Sequence, residues 1–546
     1  MRLRTILLGT LLAAGAFAQV SSFPKPSYFR ETFARAQTHV ELKDPVKLKD
    51  FVAGGKLELS LKHFLELVMA NNTDIQIQFL SLEIPRYNIL NAFGPFDPTA
   101  RTSFTTTRAT QFVTSPSAAL DSAPVGTALK SLTQPYALSF SQMLENGLQY
   151  SVSFGGTKSS NSAVTLNSYN VNLQSDSLQF SITQPLLRNR GTYFNRLPIM
   201  QAQSNLRVSE YNLRSQLLNL VNNAENAYWN VISTRETLRV QEQARDTAAE
   251  YLKFMQQQLD LGALSPLDIY NPKATLAAAE VSVSQAKFAL VEAEDALRHQ
   301  IGADLDPDAR KLPIVLTEPA DPGSTDSLTF DREEEVKKAI GINPAMKAAL
   351  QKLDVDDLGI QSARNGLLPN LAFTAAYTTS GRGGSYTNGL QQVLPGGVGD
   401  ALDQMFAFGY PTYQAGLTLT LPIRSKVASA NMGIAVAQKK MDALNLRNQE
   451  QNIRLQILTA VTNLEGAKEQ LKLAIVTLDF AKLNLDAENQ KYQLGTETNQ
   501  NVINAQQQKA NAELTVVNAQ ISLRKSVLTL LTQTGELLEE RGIVVQ

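Results

Sequence analysis

Residues 279–297 read AEVSVSQAKFALVEAEDAL and residues 512–530 read AELTVVNAQISLRKSVLTL. In the first, Ala279, Val283, Ala286, Leu290, Ala293 and Leu297 step alternately by four and three, the a/d spacing that lays one apolar stripe along a helix packed on another helix. Moving 233 residues along the chain gives Ala512, Val516, Ala519, Leu523, Ser526 and Leu530, with five of the six residues identical and the sixth a small-for-small exchange. A helical unit has therefore been duplicated. Small residues alternating with branched ones let helix backbones approach closely, so the stripe reads as a packing seam and not as a ligand site.

The copies extend well beyond the seam. Gly262 to Gly302 is 40 residues and so is Gly495 to Gly535; Asn72 to Pro98 is 26 and so is Asn343 to Pro369; Pro185 to Gly262 is 77 against 73 from Pro422 to Gly495. From Tyr193 to Leu261 only Pro198 interrupts an otherwise helical run, in which Leu217, Val221, Ala224, Tyr228 and Val231 carry the same spacing. At 1.5 Å per residue this predicts a helix on the order of 100 Å long, roughly matched by a return helix plus an opening helix laid end to end, with a kink at Pro85. The simplest arrangement is a long antiparallel α-rod.

Between opening and long helices the period changes to two. Tyr136, Leu138 and Phe140 alternate with Ala137 and Ser139; Tyr150, Val152 and Phe154 with Ser151 and Ser153; Leu178, Phe180 and Ile182 with Gln179 and Ser181. Copy two repeats this in Leu371, Phe373, Ala375 and Tyr377, and in Tyr413, Ala415, Leu417, Leu419 and Leu421. One face is apolar and aromatic, the other hydroxyl and amide, which suits either a soluble sandwich or the wall of a water-filled membrane barrel. The block spans 87 residues from Pro98 to Pro185 but 53 from Pro369 to Pro422. We read four strands in the first, with Glu145-Asn146-Gly147 as a hairpin turn, and two in the second. Open strand edges are not tolerated in lipid, so a barrel built from six strands per chain requires several protomers.

At the N-terminus, Arg2 and Arg4 precede an apolar run from Ile6 to Phe17 that ends in Ala16-Phe17-Ala18, the pattern of an export signal cleaved before Gln19. The run is short for a membrane anchor, and no later apolar stretch reaches spanning length. The 546 residues include 50 Lys+Arg against 51 Asp+Glu, no cysteine and three histidines. Without a basic excess nucleic-acid binding is disfavoured, and without thiols or clustered histidines no metal site, cofactor site or catalytic centre is expected. The stretch from Gly381-Arg382-Gly383-Gly384 through Gly396-Gly397 is not followed by the Lys-Ser or Lys-Thr helix of a phosphate loop and reads as an external loop. Asp354, Asp356 and Asp357 read as a solvated helix face, and Trp229 as a packing aromatic.

Taken in order, these features resemble the TolC family of bacterial outer-membrane efflux ducts. The resemblance rests on Leu59-Ser60-Leu61 with Asn71-Asn72, Ala363-Arg364-Asn365-Gly366-Leu367-Leu368-Pro369, Gln184-Pro185-Leu186, Leu261-Gly262-Ala263-Leu264-Ser265 and Leu494-Gly495-Thr496, and it spans nearly the whole mature chain. It implies an α+β membrane protein: a long antiparallel α-helical coiled-coil barrel joined to a transmembrane β-barrel, two tandem structural repeats, a homotrimer. The expected division is a signal peptide over 1–18, an N-terminal extension over 19–55, repeat 1 over 56–320 (helix 56–93, strands 98–185, long helix 193–261, return helix 266–301), repeat 2 over 321–535 (helix 331–367, strands 370–423, long helix 425–493, return helix 498–534) and a short tail over 536–546. Three protomers of six strands would make a barrel of 18, where the family's basic pattern is four per protomer; the extra hairpin instead forms a lip if the barrel holds 12.

The resemblance also implies a function without chemistry: a passive outer-membrane conduit of a tripartite efflux or type I secretion system, fed by an inner-membrane pump through a periplasmic adaptor. Its adaptor contacts fall on Gly262, Ala263, Leu264 and Ser265 and on Gly495, Thr496 and Glu497. Those glycines also suit helix C-caps. The periplasmic aperture falls on Asp268, Tyr492, Asn501 and Asn504, with Glu497 where the family has an arginine and the two asparagines where it has ring-forming aspartates. That departure predicts a mouth closed mainly by packing and by an Asp268 to Tyr492 contact, with weak cation preference. An alternative of another class is a structural or adhesive envelope protein whose coiled coil encloses no lumen.

Overall fold

The computed structural model describes residues 48–112, 128–161, 172–262, 265–304, 306–321, 323, 330–388, 391–394, 396–494 and 496–543. The chain divides into the units Met1–Val46 and Lys47–Gln546, and every described residue lies in the second. The expected signal peptide, most of the extension, tip residues Ala263, Leu264 and Gly495, and the last three residues of the tail lie outside the described residues.

The opening segment of copy one is not the single helix expected over 56–93. Val52–Ala53 (β1) pairs antiparallel with Lys56–Leu59 (β2), which in turn pairs parallel with Ile314–Leu316 (β8). Leu57 and Leu59 are buried while their neighbours are exposed, so a period of two governs this stretch. Three helices follow, Leu61–Asn71 (α1), Thr73–Ser81 (α2) and Glu83–Ala92 (α3). The first break falls at Asn72, whose Oδ1 accepts from the backbone N–H groups of Asp74 and Ile75 at 3.0 and 3.2 Å and so caps α2. The second falls at Leu82, just before Pro85, which has no N–H to give to the carbonyl of Ser81.

Gly191–Asp260 (α4) is a continuous helix of 70 residues, and Tyr270–Gln300 (α5) returns along it. In copy two, Arg332–Ile342 (α6) and Pro344–Gly366 (α7) break at Asn343, where one helix over 331–367 was expected. Pro344 cannot donate back into α6, and the Asn343 side chain accepts from Ala345 N at 2.9 Å. Helix Val398–Phe406 (α8) lies on the sheet; Lys426–Gln493 (α9) has 68 residues, Asn499–Thr534 (α10) returns along it, and Leu537–Glu540 (α11) closes the described helices. Both cap asparagines also reach the end of a return helix: Asn72 Nδ2 donates to Gln300 O and Oε1, each at 3.2 Å, and Asn343 Nδ2 donates to Gln533 O at 3.0 Å. The acceptors are 233 residues apart. Of the twelve seam residues, eight are buried, four are half-buried and none is exposed.

The largest core gathers where the short helices meet the middle of α4. Phe64, Leu67, Ile75, Leu217, Tyr228 and Leu297 are essentially inaccessible there, and the Tyr228 hydroxyl donates to Leu59 O at 3.2 Å. Trp229 is 3% exposed and packs as expected of a core aromatic. Its Nε1 donates to Glu225 Oε1 at 3.2 Å, and the Arg524 guanidinium lies 5.0 Å from the ring centroid. Glu225 is only 1% exposed and is held by Arg541 through Nη2 to Oε1 at 2.7 Å and Nε to Oε2 at 3.0 Å. Removing one partner of a buried pair leaves the other uncompensated, so Glu225→Ala is expected to destabilise the folded chain by about 3 kcal/mol in chemical denaturation. Glu225→Gln, which keeps an acceptor for Trp229 but leaves Arg541 without its counter-charge, should cost more than half of that; a loss near zero would show that the charge contact is idle.

Asp356 is not on a solvated face. It is half-buried against Asp442 of α9, which is 3% exposed and accepts from Lys352 Nζ at 3.0 Å and Gln438 Nε2 at 2.9 Å. Burial and the neighbouring Asp442 carboxylate push the Asp356 carboxyl up. Burial also opposes ionisation of Asp442, but the hydrogen bonds from Gln438, Lys352 and Asn445 outweigh it and hold that group below its usual value.

The remaining strands form one antiparallel sheet. Thr99–Phe104 (β3) and Thr107–Phe112 (β4) share one side of Ala128–Met143 (β5), followed by Gln149–Asn161 (β6), Asn172–Pro185 (β7) and Asn370–Asn388 (β9). Both Gln391–Leu394 (β10) and Pro411–Thr420 (β11) pair with β9. Among the described residues six strand positions lie side by side, and the sheet does not close on itself. Gly381 to Gly384 belong to β9 and not to an external loop: they pair with Leu173 to Asp176 of β7, and the backbone at and just before Val398–Phe406 (α8) packs on Gly381 and Gly383.

Candidate functional site

The site lies at the ends of α4 and α9 farthest in sequence from the strands. After Asp260 the chain turns on Leu261 and Gly262; Gly262 has φ +72°, a conformation other residues rarely adopt, and donates to Leu259 O at 2.9 Å. Asp268 N closes the next turn on Ser265 O at 3.0 Å. The second tip turns after Leu494, where the backbone N–H and the hydroxyl of Thr496 both bond Lys491 O at 3.0 Å. Leu261 and Leu494 are each 79% exposed. These bare leucines, 233 residues apart, flank the glycines at which the adaptor contacts were expected.

Just behind the tips the two helical hairpins are tied together. Met255, Ile269, Val502 and Ile503 form a buried cluster with Tyr251, and Tyr492 packs on it. The Tyr251 hydroxyl donates to Asn499 Oδ1 at 2.5 Å, the Tyr492 hydroxyl donates to Met255 Sδ at 3.3 Å, and Asn271 Nδ2 donates to Gln500 Oε1. The Tyr251 and Tyr492 rings meet edge to face at 6.5 Å, and Phe254 meets Tyr492 at 6.4 Å. Burial, reinforced by the Tyr492 neighbour, pushes the Tyr251 phenol up; burial and then the Asp268 charge do the same to Tyr492. Both hydroxyls therefore remain donors at neutral pH.

The expected aperture residues are distributed around this cluster. Tyr492 is inside it, whereas Asp268 is exposed and reaches Tyr492 through its charge alone. Asn501 donates back to Glu497 in the bend before α10, and Asn504 accepts from Gln500 Nε2 at 3.0 Å. Tyr251, Phe254, Met255 and Asn499 were not anticipated. Their signal was present in the run Tyr251 to Met255, aromatic and thioether side chains at i, i+3 and i+4 just before the glycine turn.

A family model described as outer membrane efflux protein matches residues 147–303 and 336–536. The chain belongs to that family. Outer membrane efflux proteins are channels of the bacterial outer membrane and not enzymes, and the channel reading prevails over the adhesive one. Among curated relatives, Outer membrane protein TolC of Escherichia coli (strain K12) is 23% identical over 377 residues, covering 67% of this chain and 71% of that protein. The fold is shared with the CmeC outer membrane channel of Campylobacter jejuni (TM-score 0.59, 18% identity, 90% of this chain and 87% of that one). It is shared also with the open state of the MtrE outer membrane channel of Neisseria gonorrhoeae (TM-score 0.60, 16% identity, 87% and 89%). Among the described residues of this efflux protein no helix is long and apolar enough to cross a membrane.

Proposed function

We propose that three copies of this chain assemble into one continuous duct, a β-barrel in the outer membrane continued by an α-helical tunnel into the periplasm. The observation that carries this reading is the open sheet. Its outer strands have unpaired edges while its apolar face, with Tyr413 77%, Leu417 66% and Leu419 53% exposed, suits lipid. Lipid cannot satisfy bare backbone edges, so the sheets of neighbouring protomers must pair. Three sheets of six positions give 18 strands. Exposed apolar side chains along the helices, among them Phe288 at 70% and Phe480 at 67%, suit burial between protomers. In this reading 1–18 is the export signal, and 56–320 and 321–535 are the two repeats around the pseudo-symmetric duct.

The mechanism is passive. A periplasmic adaptor engages Gly262, Ser265, Thr496 and Glu497 together with Ala263, Leu264 and Gly495; the hairpins separate at the aromatic cluster; and a substrate delivered by an inner-membrane pump passes through the lumen. The chain has no cysteine, so Ser265→Cys supplies a unique thiol at an exposed tip. Carrying a photo-crosslinker in intact cells, it is expected to capture an adaptor, whose own pump identifies the cargo as a small molecule or a secreted polypeptide. A correctly assembled protein that captures no adaptor overturns the docking reading.

A further inference from the structure

Helix α8 stands on the sheet face that this reading assigns to lipid. Along β9, Leu371, Phe373, Ala375 and Tyr377 share a face with Thr379, Gly381 and Gly383, because side chains alternate. The register continues that face into Leu178, Phe180 and Ile182 of β7 and into Tyr413, Leu417 and Leu419 of β11. A Cβ on Gly381 would fall 1.8 Å from Ala401 O, and one on Gly383 would fall 2.2 Å from Gly397 O. The helix backbone thus rests directly on the strand, which only glycine allows. Thr379 Oγ1 donates to Met405 O at 3.0 Å, so Gly397, Ala401 and Met405 lie over Gly383, Gly381 and Thr379 in turn. The helix therefore runs along β9 in the opposite direction, its C-terminal end toward the apolar band and its N-terminal end toward the strand ends remote from the long helices.

The chemistry of the sheet changes at the foot of α8. Beyond Leu178 the same face of β7 carries Asp176 and Gln174, which are 1% and 3% exposed and bonded to Tyr136. Below them an aromatic row crosses the sheet. Phe406 stacks on Phe154 at 6.4 Å, Phe408 meets Tyr377 at 6.2 Å, and Tyr377 meets Tyr413 at 5.1 Å. Phe406, Phe408 and Tyr410 remain 40%, 48% and 61% exposed, whereas Asp400 and Asp403 face outward higher on the helix. Aromatic rings of this kind collect where hydrocarbon gives way to headgroups.

We infer that α8 is an external buttress at the outer leaflet. Its aromatic foot, Phe406, Phe408 and Tyr410, sits in the acyl-to-headgroup boundary of the lipid, and its upper turns, with Asp400, stand in the headgroup layer on the outside of the barrel wall. The inference rests on the proposed lipid-facing sheet. It also explains why the polar pair Asp176 and Gln174 is tolerated on that face: α8 covers them where hydrocarbon ends.

Four single-cysteine proteins, Leu417→Cys, Tyr410→Cys, Asp400→Cys and Ser380→Cys, carry nitroxide labels in reconstituted liposomes. Collision with oxygen, which concentrates in hydrocarbon, is compared with collision with a water-soluble nickel chelate. The oxygen-to-nickel ratio is expected to be several-fold higher at Leu417 and Tyr410 than at Asp400 and at Ser380, which lies on the opposite face of β9. A lipid-exposed Leu417 with a nickel-dominated Tyr410 overturns the buttress and leaves the barrel reading intact. A nickel-dominated Leu417, or an oxygen-dominated Ser380, shows that the sheet face itself was wrongly assigned, and the buttress falls with it.

Discussion

Replacing Tyr251 and Tyr492 together by alanine is expected to turn a channel that is mostly shut in bilayer recordings into one that is mostly open. The two rings, with Phe254 and Met255, are the packed contact between the hairpin α4–α5 and the hairpin α9–α10 behind the tips. Deleting them removes burial worth on the order of 3 kcal/mol. If the hairpins part on opening, this loss falls on the closed state alone and shifts the closed-to-open ratio by roughly 100-fold. Tyr251→Phe, which loses only the bond to Asn499 Oδ1, should cost about 1 kcal/mol and give an intermediate open time. The same recordings on the unchanged protein should show weak cation preference, since Asn501 and Asn504 bring amides where carboxylates would gather cations. Unaltered gating in the double alanine variant, with trimers intact, contradicts closure by packing; strong cation selectivity that is lost only on changing Asn501 or Asn504 contradicts the account of the mouth.

What could be read in the sequence was what repeats locally. The a/d seam from Ala279 to Leu297 states its own partner geometry, and the long helices follow from seventy residues with a single early proline. Features decided by distant partners were not legible. Lys56–Leu59 becomes a strand because Val52–Ala53 and Ile314–Leu316 lie on either side of it, and four residues are too few to declare a period. The tether from Asn72 to Gln300 looks locally like an ordinary helix cap. Asp356 reads as one more solvated carboxylate until α9 brings Asp442 against it. Helix α8 is nine residues between glycine-rich stretches, so its neighbours suggested a loop; the glycines of β9 were the clue, since their purpose is to admit another backbone. Behind the tips, the resemblance pointed to Tyr492 alone, and Tyr251 and Met255 join it only because α9 lies against them.

Changing Leu261 and Leu494 together to aspartate is expected to abolish export in cells while leaving the channel itself intact. Each leucine is 79% exposed at a helix terminus, and among its neighbours Leu267 is 75% exposed. A folded chain gains nothing by holding large apolar side chains in water at both of its duplicated turns, so these positions suit a partner that buries them. A central apolar anchor of such an interface contributes on the order of 2 kcal/mol, about 30-fold in affinity, and a buried aspartate adds an unpaired charge to that loss. In the proposed trimer every protomer presents both tips and adaptor contacts would be multivalent, so either single change should be partly rescued by the remaining tips whereas the double change should not. Capture by the cross-linker on Ser265→Cys should disappear in parallel. The decisive control combines the tip change with the Tyr251→Ala and Tyr492→Ala pair: that protein should conduct in a bilayer, where no adaptor is needed, yet fail to export in cells, where delivery from the pump is. Full export with aspartate at both tips would refute adaptor docking through these turns, and loss of bilayer conductance in the combined variant would mean that the leucines serve the fold instead.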